Sequence, residues 1–424
     1  MNFNKDEYMP RLIDKKLDDY LKVFGALSVE GPKWCGKTWT SSHHAKSAVY
    51  LDDEETKEKA LLDLELVLNE EQPELIDEWH LVPKIWDKVR RKCDEDSNKG
   101  KYILTCSTEL NDEAKKEVFH SGAGRIGKIK MYTMSLYESG DSTGEASLTA
   151  MLEDKQKNVN VKIPSLKELA NLIVRGGWPS NIKVDSDKVG LIPKSYIESI
   201  LDKDMNDDKK RDKNKMRMLL KSLSRNESTV VSNETLIKDI EDYENREELI
   251  ESRITLRDYL DVLDRLHIIE NQEAYSENYR SKERIGKSPK RHLTDPSLVC
   301  ASLNLNDDKL LKDLKTFGFL FESLVERDLR IYIEYLGGHL YHFRDNVTGL
   351  EVDSILEFSN GDYAAIEIKL GYNAIDTAKK ELLRFYDNMI TKPKFMCIIT
   401  GNFTSVVKDK ETGIYIVPIT ALRP

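Results

Sequence analysis

Along the first 150 positions, apolar residues come in short runs separated by longer stretches where they recur at helical spacing. The runs Ala26–Val29, Ala48–Asp52, Glu74–Ile76, Tyr102–Thr105 and Lys128–Met134 predict strands, and amphipathic segments such as Lys84–Cys93 predict helices between them. Alternation of this kind predicts a mainly parallel sheet covered on both faces. Residues 138–164, rich in Gly, Ser, Asp and Lys, read as an exposed connection. A helix over Leu166–Val174 is then expected to stop at Gly176-Gly177-Trp178-Pro179.

The pattern changes twice more. Residues 202–217 form a mixed-charge run whose plain reading is a solvated loop or helix face. Between Met216 and Ala274, three helical segments alternate with turns and end in the short β segment His267-Ile268-Ile269-Glu270. Three small helices and a β wing make the winged-helix pattern, a module that binds DNA or protein, or simply connects domains. Residues Tyr279–His292 gather Arg280, Lys282, Arg284, Lys287, Lys290 and Arg291, a basic cluster that suits either a surface loop or nucleic-acid contact. From Phe317 onward a helix (Phe317–Tyr335) precedes strands at Leu340–Arg344, Glu351–Phe358 and Tyr363–Lys369. A helix at Ile375–Asn388 and strands at Phe395–Thr400 and Ile414–Val417 follow.

Composition narrows the class. A chain of 424 residues exceeds one ordinary core, so two or three domains are expected. Its 39% apolar residues suffice for globular cores, while a net charge of −10 gives no sign of general nucleic-acid binding. The cysteines at 35, 93, 106, 300 and 397 are odd in number and scattered, which suggests neither a disulfide framework nor a zinc ribbon. With no apolar run of about 18 residues and no signal-peptide pattern, a cytoplasmic protein without a membrane partner is expected.

The chemistry is densest at Gly31-Pro32-Lys33-Trp34-Cys35-Gly36-Lys37-Thr38, a complete phosphate-binding loop between a predicted strand and a segment able to run on as a helix. Its backbone N–H groups and the positive end of the helix would hold the phosphates of ATP. Lys37 would neutralise the outer phosphates, and the Thr38 hydroxyl would hold Mg²⁺. Leu75-Ile76-Asp77-Glu78 ends an apolar strand in two acids: Asp77 as a partner of Mg²⁺ and Glu78 as the group that activates water. Ser107 or Thr105, at the end of the next strand, suits a sensor of the γ-phosphate, with a turn residue bonding its own backbone as the alternative. Arg125, in a Gly-rich segment, is a candidate arginine finger within the chain or from a neighbouring subunit; surface salt bridging is its other reading. Arg175, just before Gly176-Gly177, is a similar candidate.

A second constellation lies near the end. Glu367-Ile368-Lys369 places both charged side chains on one face of a strand, because strand side chains alternate with period two. Asp353, on the strand before, can lie beside them, and two carboxylates then make an oxygen site for Mg²⁺ in which the lysine positions a water. Glu322, on the preceding helix, can approach the same metal. The plain alternative is a buried salt bridge between Lys369 and an acid.

These residues together resemble a family of prokaryotic ATP-binding proteins that join an AAA-type P-loop domain to a winged helix and a C-terminal nuclease-like domain of unknown function. The resemblance spans nearly the whole chain. It rests on Tyr8-Met9-Pro10-Arg11, the P-loop, Leu75-Ile76-Asp77-Glu78-Trp79, the segment from His120 to Ile126, Met134–Gly140 and Arg175-Gly176-Gly177-Trp178-Pro179. Further markers are Ser224–Thr229, Phe321–Glu326, Glu351-Val352-Asp353 and Glu367-Ile368-Lys369. It implies an α/β fold: an AAA/ASCE-type parallel sheet with its lid over residues 1–185, a helical and winged-helix region over 186–300, and a restriction-endonuclease-like domain over 301–424. Gly177-Trp178-Pro179 is similar to an element whose proline, here Pro179, packs near adenine. Glu322, Asp353, Glu367 and Lys369 fall on the PD-(D/E)xK nuclease pattern. The family usually has Gln where this chain has His80. The expected function is a Mg²⁺-dependent ATPase whose cycle drives a change coupled to the nuclease-like domain, with DNA as candidate substrate. A non-nucleolytic ATP-dependent switch, or a DNA-binding regulator acting through a protein partner, is the alternative.

Overall fold

The computed structural model describes residues 7–203, 205, 210–241, 253–278, 280, 288–345 and 347–424. Tyr279, Lys282, Arg284 and Lys287 of the basic cluster lie outside the described residues, as do Asp204 and positions 206–209 of the mixed-charge run. The chain divides into two compact units. The first comprises Met1–Thr133, Lys203–Arg211 and Asp261–Ile268; the second comprises Met134–Asp202, Asp212–Leu260 and Ile269–Pro424. The domain boundaries expected at 185/186 and 300/301 both fall inside the second unit.

In the first unit, α1 (Ile13–Val23), β1 (Ala26–Glu30), α2 (Lys37–His44), β2 (Ser47–Tyr50) and α3 (Glu54–Leu62) lead to β3 (Glu74–Asp77), α4 (Ile85–Asp94), β4 (Tyr102–Cys106) and β5 (Ile126–Lys130). The strands form one sheet in the order β2-β3-β4-β1-β5, with every pairing parallel. Parallel neighbours require crossovers, which the helices supply. Strand alternation sends Leu27, Val29, Leu75 and Ile103 into one apolar layer with Leu17 of α1. Ala26, Ile76, Tyr102 and Leu104 enter another with Ile85, Trp86 and Val89 of α4. Truncating a leucine such as Leu75 in layers packed this way costs about 2–5 kcal/mol. The last strand starts at Ile126 and ends at Lys130, short of the expected Met134, because its partner β1 ends opposite Lys130 and turns into the P-loop.

In the second unit, β6 (Ala146–Ser147), α5 (Leu148–Leu152), β7 (Val159–Asn160), α6 (Leu166–Arg175) and α7 (Leu191–Asp202) come first. Next are α8 (Lys213–Arg225), β8 (Thr229–Val230), α9 (Asn233–Glu241), α10 (Arg253–Arg265, whose residues from Asp261 belong to the first unit), β9 (Ile269–Ala274) and β10 (Lys290–Leu293). Then follow α11 (Pro296–Ser302), α12 (Asp307–Lys312), α13 (Leu314–Tyr335), β11 (His339–Asp345), β12 (Leu350–Glu357) and β13 (Tyr363–Lys369). The chain closes with α14 (Ile375–Asn388), β14 (Phe395–Thr400), β15 (Ser405–Lys408), β16 (Tyr415–Pro418) and β17 (Leu422–Arg423). Ten strands make one sheet in the order β7-β15-β16-β14-β13-β12-β11-β9-β10-β8. Ile375, Ala378, Leu382 and Phe385 of α14 pack on Val352, Ile355, Tyr363 and Ala365 of the central strands.

Residues 138–164 are more than an exposed connection. β6 pairs with β17, and β7 adds to the edge of the large sheet beside β15. Ala146, Leu148 and Met151 are apolar islands in that polar stretch, and all three are buried. An ion-paired group made by Asp295, Arg327 and Asp328 ties several segments of this unit together. Arg327 reaches Asp295 at 3.1 Å and Asp328 at 2.7 Å, and Asp328 accepts the Leu136 N–H at 3.0 Å. Breaking one member of so buried a group leaves an uncompensated charge.

Glu74, the first residue of β3, is fully buried, and burial pushes its carboxyl up from 4.5 to about 7. Between these values the folded chain keeps a proton that the unfolded chain has released, so this residue subtracts stability as pH rises through that window. Glu74→Gln is therefore expected to raise the melting temperature by a few degrees at pH 8 and to leave it nearly unchanged at pH 5, as read by thermal denaturation at both pH values.

Candidate functional site

The carboxyl ends of β1, β3 and β4 lie side by side because β4 is inserted between the other two. β1 runs into the loop Gly31–Gly36, and α2 begins at Lys37. Gly36 has φ of 103°, in the left-handed region that a side chain resists. A Cβ on Gly31 would stand 2.2 Å from the Met131 carbonyl oxygen, which allows only glycine there. Lys37 is buried and gives its ammonium to the Gly31 and Pro32 carbonyls, each at 2.9 Å. Cys35 is buried inside the loop, while Trp34 is 49% exposed.

Asp77 and Glu78 meet this loop from β3. The Thr38 hydroxyl donates to Asp77 Oδ1 at 2.9 Å, and the Thr105 hydroxyl donates to the same oxygen at 2.6 Å. Burial raises the Asp77 carboxyl, against hydrogen bonds that lower it. Glu78 adopts a left-handed backbone (φ 54°, ψ 46°), and its N–H donates to Thr105 Oγ1 at 3.1 Å. Its carboxylate accepts from Ser107 Oγ at 2.9 Å and from the Ser107 N–H at 3.2 Å, and His80 Nδ1 lies 3.2 Å away. Burial alone would raise Glu78; the His80 contact, the Lys37 charge and Ser107 outweigh it and hold the carboxyl at about 2. The result is an ionised carboxylate kept in a mostly buried place. Thr38 and Asp77 present hard oxygen donors 2.9 Å apart, which suits Mg²⁺. Both sensor candidates, Ser107 and Thr105, hold the acids in place.

Two contributions were not read from sequence. Arg11, 8% exposed, reaches the Cys35 carbonyl at 2.8 Å and the Tyr132 and Thr133 carbonyls at 2.8 and 3.2 Å. It thus ties the P-loop to the segment after β5, and its place among the family markers was the only signal. His80 is the second, its Nδ1 lying 3.2 Å from the Glu78 carboxylate.

Other candidates lie elsewhere. Arg125 precedes β5, and its carbonyl accepts the Ala26 N–H at 3.1 Å, which puts it at the amino-terminal edge of the sheet. The P-loop lies at the opposite edge, about 16 Å along a five-residue strand, and the Arg125 side chain bonds Asp94 at 2.8 Å. The geometry keeps Arg125 off the phosphates within its own chain. Arg175 and Pro179 belong to the second unit. There Arg175 is buried against Asp141, Gly177 N–H donates to Asp295 at 2.9 Å, and Trp178 Nε1 donates to Ser297 at 2.9 Å.

The second constellation assembles in the second unit. β12 and β13 pair antiparallel with Ser354 opposite Ile366. Lys369 Nζ lies 2.6 Å from Glu367 and 3.2 Å from Asp353, and Asp353 accepts the Ile368 N–H at 2.8 Å. Glu322, from α13, is 2.6 Å from Lys290 of β10. Burial raises the Glu322 and Glu367 carboxyls above their ordinary range, against the Lys290 and Lys369 charges that lower them. No group of three or more His, Cys, Asp or Glu among the described residues is arranged to hold a metal ion. The acids are together, but lysines lie between them, and a divalent cation does not fit this arrangement.

One family match covers the residues of the first site. Residues 24–140 match the AAA_14 family, an AAA domain. Residues 166–309 match a domain of unknown function, DUF8612, and residues 317–422 match another, DUF4143. No curated protein matches the sequence. Among solved structures, the chain is similar to a Walker-type ATPase of Pyrococcus abyssi, at 12% identity over 70% of this chain and 97% of that one, with a TM-score of 0.46. It is also similar to the ORC2 protein of Aeropyrum pernix, solved as ADPNP–ADP complexes, at 12% identity over 70% of this chain and 91% of that one (TM-score 0.32). A third is the ORC1 protein of the same organism in complex with DNA, at 13% identity over 73% and 96% (TM-score 0.27). Residues 24–140 are thus an ATP-binding P-loop domain of AAA type. No helix among the described residues is long and apolar enough to cross a membrane.

Two outcomes are expected. Arg11→Ala leaves the Cys35 and Tyr132 carbonyls without their charged donor, so it should lower stability by about 1–3 kcal/mol and weaken ATP binding about tenfold, as measured by denaturant melts and nucleotide titration. His80→Ala removes the strongest interaction that lowers the Glu78 carboxyl, so the acid limb of the ATP turnover profile should move to higher pH.

Proposed function

We propose that this protein is a Mg²⁺-dependent ATPase whose nucleotide cycle switches the conformation of the chain for a macromolecular partner. The observation that supports it is the hydrogen-bonded set Thr38–Asp77–Thr105, with ionised Glu78 fixed by Ser107 and His80 beside it. Loop amides from Gly31 to Thr38 cradle the phosphates, and Lys37 exchanges the Gly31 and Pro32 carbonyls for phosphate oxygens. Thr38 and Asp77 would hold Mg²⁺, which when bound would offset the charge that develops on the γ-phosphoryl group. Glu78 orients the attacking water. Ser107 is placed to pass the state of the γ-phosphate to Glu78.

The second unit supplies the modules for the partner. The order α8, β8, α9, α10, β9, β10, with β9-β10-β8 antiparallel, supports a winged helix. The succession α13, β11, β12, β13, α14, β14, with Asp353 beside Glu367 and Lys369, supports a PD-(D/E)xK-like fold for the last segment. DNA is a candidate partner through the winged helix, and oligomerisation is the route by which Arg125 would reach a neighbour's phosphates.

The test is Mg²⁺-dependent ATP turnover by wild type, Lys37→Ala and Glu78→Gln, with and without DNA. Glu78→Gln should lose about 10²–10⁴-fold in kcat while still binding ATP, and Lys37→Ala should lose binding. Turnover unchanged in Glu78→Gln would overturn the hydrolytic role. Turnover indifferent to DNA would direct the partner search to proteins.

A further inference from the structure

We propose that the Lys290 ammonium occupies the place a divalent cation would take among Glu322, Glu326 and Asp353, making the C-terminal acid cluster a cation site filled by the protein itself. The inference is independent of the ATPase reading, since none of its residues belongs to the P-loop unit.

Lys290 is not a surface side chain that has fallen onto an acid. It opens β10 and is paired on both sides, opposite Gln272 of β9 and Val230 of β8, so its backbone is fixed by two antiparallel neighbours. Its side chain is 12% exposed. Nζ lies 2.6 Å from Glu322 Oε1, 3.3 Å from Glu326 Oε1 and 3.3 Å from the Asp353 carbonyl oxygen. An ammonium has three protons to give, and three oxygens from α13 and β12 receive them. Burial would depress this amine, but the charges of Glu326, Glu322 and Asp353 more than offset it and hold it above its ordinary range.

Glu326 Oε2 is buried without a hydrogen bond, but an imidazole stands beside it. Glu326 Oε2 faces His292 Nε2 at 3.0 Å, and His292 Nδ1 faces Glu227 at 3.1 Å. Lys369 covers Glu367 and Asp353 from the other side. Mg²⁺ needs a near-octahedral shell of oxygens at about 2.0–2.1 Å. Here the same carboxylates are already paired with two fixed monovalent cations, which would repel an incoming dication. Phosphodiester cleavage at a site of this design depends on metal-activated water. With Lys290 in place, the domain binds or transmits; it does not cut.

The experiment is Mn²⁺ binding to the full-length chain without nucleotide, read from the loss of the free-ion electron paramagnetic resonance signal. Five proteins are compared: wild type, Asp353→Asn, Lys290→Met, Lys290→Gln and Lys290→Met with Asp353→Asn. Wild type should show no Mn²⁺ uptake that depends on Asp353. A folded Lys290→Met or Lys290→Gln chain should gain one Mn²⁺ per chain, at least about tenfold tighter than wild type, and Asp353→Asn should abolish the gain. Wild type binding one Mn²⁺ that is lost in Asp353→Asn alone would overturn the proposal, and this arm needs no change at Lys290. Folded Lys290 variants that gain no Mn²⁺ would overturn it as well. Ions held by the P-loop unit would persist in Asp353→Asn and so do not enter the comparison.

Discussion

The insertion of β4 between β1 and β3 is the constraint on which the nucleotide site depends. In a parallel sheet all carboxyl ends point the same way, so the loops after three adjacent strands open on one edge. The P-loop leaves β1 there, Asp77 and Glu78 leave β3, and Thr105 and Ser107 leave β4. The central strand then acts as a hydrogen-bonding bridge: Thr105 donates to Asp77 and accepts from the Glu78 N–H, while Ser107 donates to the Glu78 carboxylate. Two neighbouring acids would repel each other. The sheet instead gives each its own donors, so Asp77 meets hydroxyls and Glu78 meets Ser107 and His80.

The second unit answers the same problem differently. Its acids are paired with whole cations, each shared by two: Lys290 by Glu322 and Glu326, Lys369 by Glu367 and Asp353, and Arg327 by Asp295 and Asp328. Buried ion groups stabilise little compared with an apolar core, but losing one partner is costly, and this fixes the register of the elements that supply them. Arg175 belongs in this class. Its position before two glycines marks a packing junction in which the Gly177 N–H, Trp178 and Asp295 meet.

Sequence patterning made the first unit legible almost strand by strand. A motif in which residues a few positions apart act together, such as Gly31–Thr38 or Asp77-Glu78, shows itself in the chain because one loop or one strand end builds it. The same holds for Glu367 and Lys369, where period-two alternation alone puts both on one face. Contacts made across long separations left no such mark. Arg11 clamps the P-loop from 24 residues away and the segment after β5 from 121, and in the sequence it is only a charged residue before a helix. Residues 138–164 look like a polar connection because two-residue strands are too short to produce a periodic signal.

What the sequence by itself determined is the kind of chemistry: a phosphate-binding loop followed by two acids at a strand end, since local backbone geometry and residue type suffice for that. Where a charge ends up was decided only by tertiary structure. Arg125 lies at the wrong edge of the sheet to be a finger within its own chain, because β5 runs parallel to β1 and Arg125 precedes it. Lys290, read as one member of a basic surface cluster, instead goes inward, because strand pairing on both sides of β10 aims it at acids on α13 and β12. A one-dimensional count of charges cannot distinguish a lysine that meets solvent or nucleic acid from one that replaces a metal ion. That distinction depends on which strand lies beside which.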